Sequence, residues 1–282
     1  MPRQVVTIDG PAGAGKSTVA MLLAERLGWK LLDTGAMYRC VALAAIRANV
    51  SVDDDLSLGR LAESLRVDLE PGRITLECLD VTAAIREPEI GTLASVVAAC
   101  PSVRSVLVGW QRNFALKQGV VTEGRDQGTV VFPDAILKIF LTASPEQRAG
   151  RRYEQLSEQG QEIDFAEVLS QQVERDRRDT LRAASPLRVA DSALVLDTSG
   201  LEISQVVNIL EEITHCGPPY PWEMGWTAEL KPCPPAIFRL VQAWDSSSER
   251  LVALGSTVED VARAAQNPDL RFVEPAHSLK PS

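Results

Sequence analysis

The sequence predicts an α/β fold: a parallel sheet covered by helices on both faces, with a small antiparallel insertion and a short α+β extension at the C-terminus. Three observations carry this prediction. A β-branched apolar run, Val5–Ile8, passes through a glycine-rich turn into a segment whose Val19, Leu22, Leu23 and Leu27 recur at helical spacing. Strand-like and helix-like segments then alternate as far as Thr214. Between Arg66 and Arg86 the apolar residues switch to alternation, the period of half-buried strands.

In order, the opening strand is followed by a helix over Ser17–Leu27 that stops at Gly28. Leu31-Leu32 leads into Asp33-Thr34-Gly35, and helices are expected over Met37–Ala48 and Leu56–Leu65. In the antiparallel insertion, Val67 and Leu69 are separated from Ile74, Leu76 and Cys78 by a tight turn at Pro71-Gly72. Helices resume near Pro88–Ala99 and Ser102–Leu116, the latter with Pro101 near its start. Strands follow at Val120–Thr122 and Ile136–Leu141. A helix begins at Ser144-Pro145 and is interrupted at Gly160, and another spans Phe165–Leu181. The last strand and helix of this part are Ala193–Leu196 and Ile203–Thr214.

At Gly217 the texture changes, since residues 217–282 hold nine of the 17 prolines and three of the five tryptophans. The expected division is a main domain over 1–216, a proline-rich linker over 217–235 that docks through Trp222 and Trp226, and a unit over 236–282. That unit reads β-β-α-β: Ile237–Trp244, Arg250–Leu254, Val258–Ala265 and Leu270–Val273.

Composition narrows the function classes. With 45 % hydrophobic and 24 % charged residues the chain is of ordinary globular type. Apolar runs such as Val41–Ile46 fall far short of the roughly 20 residues of a membrane span. The apolar stretch before Asp9-Gly10 is too short for a signal-peptide core, so a cytoplasmic protein is expected. Five scattered cysteines fit neither a disulfide framework nor a zinc ribbon, and two late histidines, His215 and His277, give no multi-histidine metal site. A net charge of −9 opposes binding to nucleic acid or anionic membrane, so an anionic ligand must be small and enter a locally basic cleft.

Gly10-Pro11-Ala12-Gly13-Ala14-Gly15-Lys16-Ser17 matches G-x-x-x-x-G-K-[ST] between a strand and a helix. Its glycines let backbone N–H groups turn inward around a polyphosphate, and the helix N-terminus points at the same anion. Lys16, expected at a solvent-facing turn, can then reach the β- and γ-phosphates, and the Ser17 hydroxyl can ligate magnesium. The Asn-Lys-x-Asp motif of GTPases is missing. Instead, Arg148, Arg151 and Arg152 share one helix face, and Arg175, Asp179 and Arg182 share another, as a site gathering phosphate charge requires.

Four further segments narrow the reading: Leu32-Asp33-Thr34-Gly35-Ala36-Met37-Tyr38-Arg39, Glu123-Gly124-Arg125-Asp126-Gln127-Gly128-Thr129-Val130-Val131-Phe132-Pro133-Asp134, Arg175-Asp176-Arg177-Arg178-Asp179, and Arg182 with Pro186-Leu187. Together with the phosphate loop, the chain resembles the bacterial cytidylate kinases, a nucleoside monophosphate kinase family, over residues 4 to about 214. The resemblance implies a P-loop NTPase-type core, a monophosphate-binding lobe at about 35–100 and a helical, arginine-bearing lid at about 144–164. It implies ATP-dependent phosphorylation of CMP and dCMP, with ATP and Mg2+ required and a monomer acting on free nucleotides.

Residue by residue, the resemblance places ATP on Gly10, Pro11, Ala12, Gly13, Ala14, Gly15, Lys16, Ser17 and Thr18. It assigns the catalytic cations to Lys16, Arg125, Arg148 and Arg152, and magnesium to Ser17, with Glu123 acting through water. It implies a CMP site of Thr34, Tyr38, Arg39, Ser95, Arg104, Arg125, Asp126, Arg175, Asp179 and Arg182. Thr34 stands where the family usually has serine, and Glu123 where it often has aspartate; hydroxyl and carboxylate are kept. A cytosine-selective pocket needs acceptors for the N4 amine, such as Asp126 and Ser95, beside a donor for N3 such as Arg104. Two rival readings stand beside this one: another kinase of the same fold, such as an adenylate, uridylate or shikimate kinase, and a regulatory nucleotide-binding module centred on residues 217–282.

Overall fold

The computed structural model describes residues 4–70, 72–116, 118–216, 241–245, 250–255 and 270–273. The chain opens β1 (Val5–Asp9), α1 (Lys16–Leu27), β2 (Lys30–Asp33), α2 (Thr34–Arg47) and α3 (Asp55–Ser64). The insertion is β3 (Val67–Glu70), β4 (Arg73–Leu76) and β5 (Leu79–Asp80), followed by α4 (Pro88–Val97) and α5 (Pro101–Phe114). Then come β6 (Val120–Gly124), β7 (Leu137–Thr142), α6 (Pro145–Glu158), α7 (Phe165–Leu181), β8 (Leu194–Asp197) and α8 (Ile203–Cys216).

Strands β8, β7, β1, β6 and β2 lie side by side in that order, every neighbouring pair parallel. Such strands are covered on both faces, and successive side chains divide between two cores. Val6, Ile8 and Val121 pack against Val19 and Leu23 of α1 and Val207 and Leu210 of α8. Val5 and Val120 pack on the other face, against Cys40 and Val41 of α2 and Leu107 of α5. The predicted insertion forms a separate antiparallel sheet, β3-β4-β5, with Leu69 paired to Ile74.

Helix ends follow from capping chemistry. Gly28 takes the left-handed conformation (φ 65°) that ends α1. Ser144 caps α6 by accepting from the Gln147 N–H, and Pro145 occupies its first turn. Helix α2 starts at Thr34, earlier than the expected Met37, because the Asp33 carboxylate caps it by accepting from the Ala36 N–H at 2.9 Å. A π-helical turn at Gln127–Val131 had no sequence signal.

The predicted tail strands are β9 (Val241–Asp245), β10 (Arg250–Gly255) and β11 (Leu270–Val273). They continue the central sheet: β10 pairs in parallel with β8, β9 with β10 and β11 with β9, both antiparallel. The expected linker at 217–235, with Trp222 and Trp226, and the helix at 258–265 lie outside the described residues.

Candidate active site

The phosphate loop links the C-terminal end of β1 to α1. Gly10 has φ +148°, and a Cβ there would lie 1.9 Å from the Leu141 carbonyl oxygen on β7. Only glycine lets the chain pass so close to the neighbouring strand. Lys16 is 5 % exposed, and its Nζ donates to the Pro11 carbonyl at 2.7 Å. The expectation of a solvent-facing lysine is thereby corrected: the loop folds over its own lysine. Burial, aided by the Arg125 charge, pushes the Lys16 amine down to about 7. Ser17 Oγ donates to Glu123 Oε1 at 3.2 Å, and Thr18 is exposed on the next position of α1.

Two side chains, Arg148 of α6 and Gln172 of α7, brace this loop. Arg148 donates from Nε to the Ala143 carbonyl (2.9 Å) and from Nη1 to the Ala12 carbonyl (3.1 Å) and Asp176 (2.5 Å). Gln172 Nε2 donates to the same Ala12 carbonyl. Arg151 is tied to the end of β8 through the Thr198 carbonyl (2.8 Å) and hydroxyl (3.2 Å). Arg148, expected as a lid cation for the transferring phosphate, has its guanidinium buried here and bonded to Ala143, Ala12 and Asp176. Helical periodicity put Arg148, Arg151 and Arg152 on one face, yet their long stems carry the three heads to different partners. Arg152 bonds Gln155 at 2.8 Å and faces Arg39.

Cations converge opposite the loop. Arg125 donates from Nε to Asp179 at 2.8 Å. Arg175 is driven down to about 10 by burial first and then by the charges of Arg125, Arg39 and Arg152; Asp179 opposes the shift. Its Nε is buried without a hydrogen-bond partner. Burial would raise the Asp179 carboxyl, but Arg125, Arg175 and Arg182 together hold it below its ordinary value. One carboxylate thus organises three guanidinium groups.

Beside it lies the predicted base-recognition group. Arg104 donates from Nη2 to Asp126 and from Nη1 to the Tyr38 hydroxyl at 3.2 Å. Burial pushes the Tyr38 hydroxyl up to about 12, so it stays a neutral donor or acceptor. Thr34 Oγ1 donates to the Glu123 carbonyl at 2.7 Å. A cavity of about 390 Å³ between α4 and α7 is lined by Ser95, Val96, Ala99, Arg175, Asp179 and Arg182. Ser95 Oγ donates to the Gly91 carbonyl (3.3 Å). Arg182, on the cavity wall, interacts electrostatically with Asp179, Asp126 and Arg104.

Sequence reasoning missed Gln172, Asp176 and Gln111. Gln172 and Asp176 stand three residues before and one after Arg175, on the helix face that carries Asp179, so a periodicity argument could have found them. Gln111 is fully buried on α5, seven residues after Arg104, and accepts from Gln127 Nε2 at 3.2 Å. Its amide carries no charge and had no motif.

Comparison with known proteins agrees with this geometry. The profile of the family described as "Cytidylate kinase" matches residues 6–215. The cytidylate kinase of Shewanella sediminis (strain HAW-EB3) is 51 % identical over 217 residues, covering 75 % of this chain and 94 % of that protein. That of Aeromonas salmonicida (strain A449) is 49 % identical over 207 residues, covering 72 % and 90 % respectively. A phosphate loop facing clustered arginines, with half of all aligned positions identical along almost the whole of such relatives, leads to one conclusion: this chain belongs to the cytidylate kinase family.

Proposed function

We propose that the protein transfers the γ-phosphate of ATP to CMP, giving ADP and CDP, with dCMP as a second acceptor and Mg2+ required. The observation that carries this reading is the convergence of Lys16, Arg39, Arg125, Arg152 and Arg175: burial first, and then the charges of neighbouring cations, lowers the proton affinity of Lys16, Arg152 and Arg175. Cations held against one another in this way gain most when a highly anionic group lies between them, as the phosphates of donor and acceptor do.

In this reading Gly10–Thr18 cradle the ATP phosphates and Lys16 serves the group in transfer. Arg125, Arg152 and Arg175 neutralise the charge that spreads over it. Arg39 and Arg182 hold the acceptor phosphate and sugar side of CMP. Ser95, Arg104 and Asp126 meet the base, with Tyr38 fixing Arg104 and Thr34 fixing the turn below. Arg148 acts one step back, on the shape of the loop. The acceptor is already an anion, so no general base is required, and alignment supplies the rate. The Ser17 hydroxyl and Glu123 carboxylate, 3.2 Å apart, are hard oxygen donors that suit magnesium. When bound, magnesium supplies charge neutralisation at the β- and γ-phosphate oxygens.

We further assign catalysis to residues 1–216, with a monophosphate lobe at about 35–100 and a lid at about 144–164, and a supporting role to 217–282. The net charge of −9 favours a monomer acting on free nucleotides, away from nucleic acid and anionic membrane. Among the described residues no single helix is long and apolar enough to cross a membrane. The test is a coupled ADP assay with CMP, dCMP, UMP and AMP on one preparation. The expected result is kcat/KM highest for CMP and dCMP; a preference for UMP or AMP, or no transfer at all, overturns the reading.

A further inference from the structure

Asp9 ends β1, immediately before the phosphate loop, and is 3 % exposed. Its two carboxylate oxygens accept from two successive backbone amides on the far side of the site, Gln127 N–H to Oδ1 at 2.9 Å and Gly128 N–H to Oδ2 at 2.7 Å. Those amides open the π-helical turn that directly follows Arg125 and Asp126, and a helical start leaves such N–H groups without intrahelical partners. Contact between the turn and β1 is close: a Cβ on Gly128 would lie 3.0 Å from Thr7 Oγ1 and 3.4 Å from Asp9 Oδ2. The strand ladder between β1 and β6 reaches no further than the Asp9–Gly124 pair, so beyond it the carboxylate takes over the connection.

Gln127 is also held by its side chain, between the Thr122 hydroxyl (2.9 Å) and Gln111 (3.2 Å), but these contacts tie the turn to β6 and α5. The phosphate loop has its own braces in Arg148 and Gln172. Asp9 joins the two halves. A carboxylate at this position is costly, since burial pushes it up to about 7 against the lowering effect of both amides and of Lys16, with Asp126 adding to the rise.

We infer that Asp9 is a positioning residue, whose carboxylate clamps the Gln127–Gly128 backbone and so holds the Arg125–Asp126 step in register with the phosphate loop. A merely structural cap would lower stability when removed and leave both substrates equally served. A clamp between donor and acceptor halves has a different signature, because the phosphate loop keeps its own braces while the acceptor loop loses its tie.

The inference rests on the CMP kinase reading, and wild-type turnover of CMP in the same assay separates failure of that reading from failure of this one. The test is Asp9→Asn, which keeps one acceptor and turns an amide donor toward a backbone N–H. Gly128→Ala is the second variant, pushing the turn off β1 with Asp9 intact and carrying the test alone if Asp9→Asn does not fold. KM for CMP is expected to rise at least tenfold with KM for ATP within threefold of wild type, and the Gly128 amide to exchange faster with solvent in Asp9→Asn. A smaller rise for CMP, or a rise for ATP of the same size, overturns the assignment.

Discussion

Arg104 and Asp126 form an ion pair whose side chains are only 8 % and 6 % exposed. Two charges held so far from water pair with each other before any substrate arrives, which fixes both heads in place. Each keeps further hydrogen-bonding capacity: the carboxylate can accept from an exocyclic amine, and the guanidinium can donate to a ring nitrogen. A uracil ring offers a carbonyl where cytosine offers the amine, and leaves buried groups mispaired.

Asp126→Ala is therefore expected to lower kcat/KM for CMP at least tenfold, about 1.4 kcal/mol, and to narrow the CMP-to-UMP ratio. Removing one member of a buried pair also strands the other, a loss of roughly 3–5 kcal/mol in stability, so Tm should fall. Kinetics on both substrates check this. Equal losses for CMP and UMP would assign Asp126 to the sugar, the phosphate or the scaffold.

Lys16→Met should cut kcat to less than a tenth of wild type yet raise the stability of the nucleotide-free protein, since it removes a buried amine. The pH dependence has a definite sign. With the folded amine near 7 and the ordinary value 10.5, the unfolded chain binds more protons between those limits, so wild-type stability gains from rising pH there. Urea titrations at pH 7 and 9 should show that gain in wild type and a smaller one in Lys16→Met.

Arg148→Lys distinguishes a brace from a phosphate clamp. A lysine cannot reach Ala143, Ala12 and Asp176 together, so Tm should fall and KM for ATP should rise as the loop loosens. Loss of kcat with Tm and both KM values unchanged would restore Arg148 to the transfer step.

Truncation after Cys216 removes β10 and leaves β8 as an edge strand with open backbone groups. The shortened protein should keep kcat and CMP preference within a few-fold while losing Tm or solubility. A folded truncation with more than about a hundredfold loss, about 2.7 kcal/mol, would place the tail in the active machinery.

Much of this protein was legible in its sequence because its signals are local. Val5–Ile8, the Gly10–Ser17 loop and the spacing in Phe165–Leu181 each declare themselves within a few residues, and α7 has those very bounds. Gly10, Thr34, Arg125 and Asp126 sit in short motifs that are recognisable within a few residues, although the groups they meet, Leu141, Glu123, Asp179 and Arg104, lie elsewhere in the chain. Tertiary structure decided what depends on partners distant in sequence. It buried Lys16, spent Arg148 on the Ala12 carbonyl 136 residues away, and joined Asp9 to amides 118 and 119 residues on. It also laid β10 against β8. Periodicity tells which side of a helix an arginine leaves from, but its long side chain and the packing around it settle where the charge arrives.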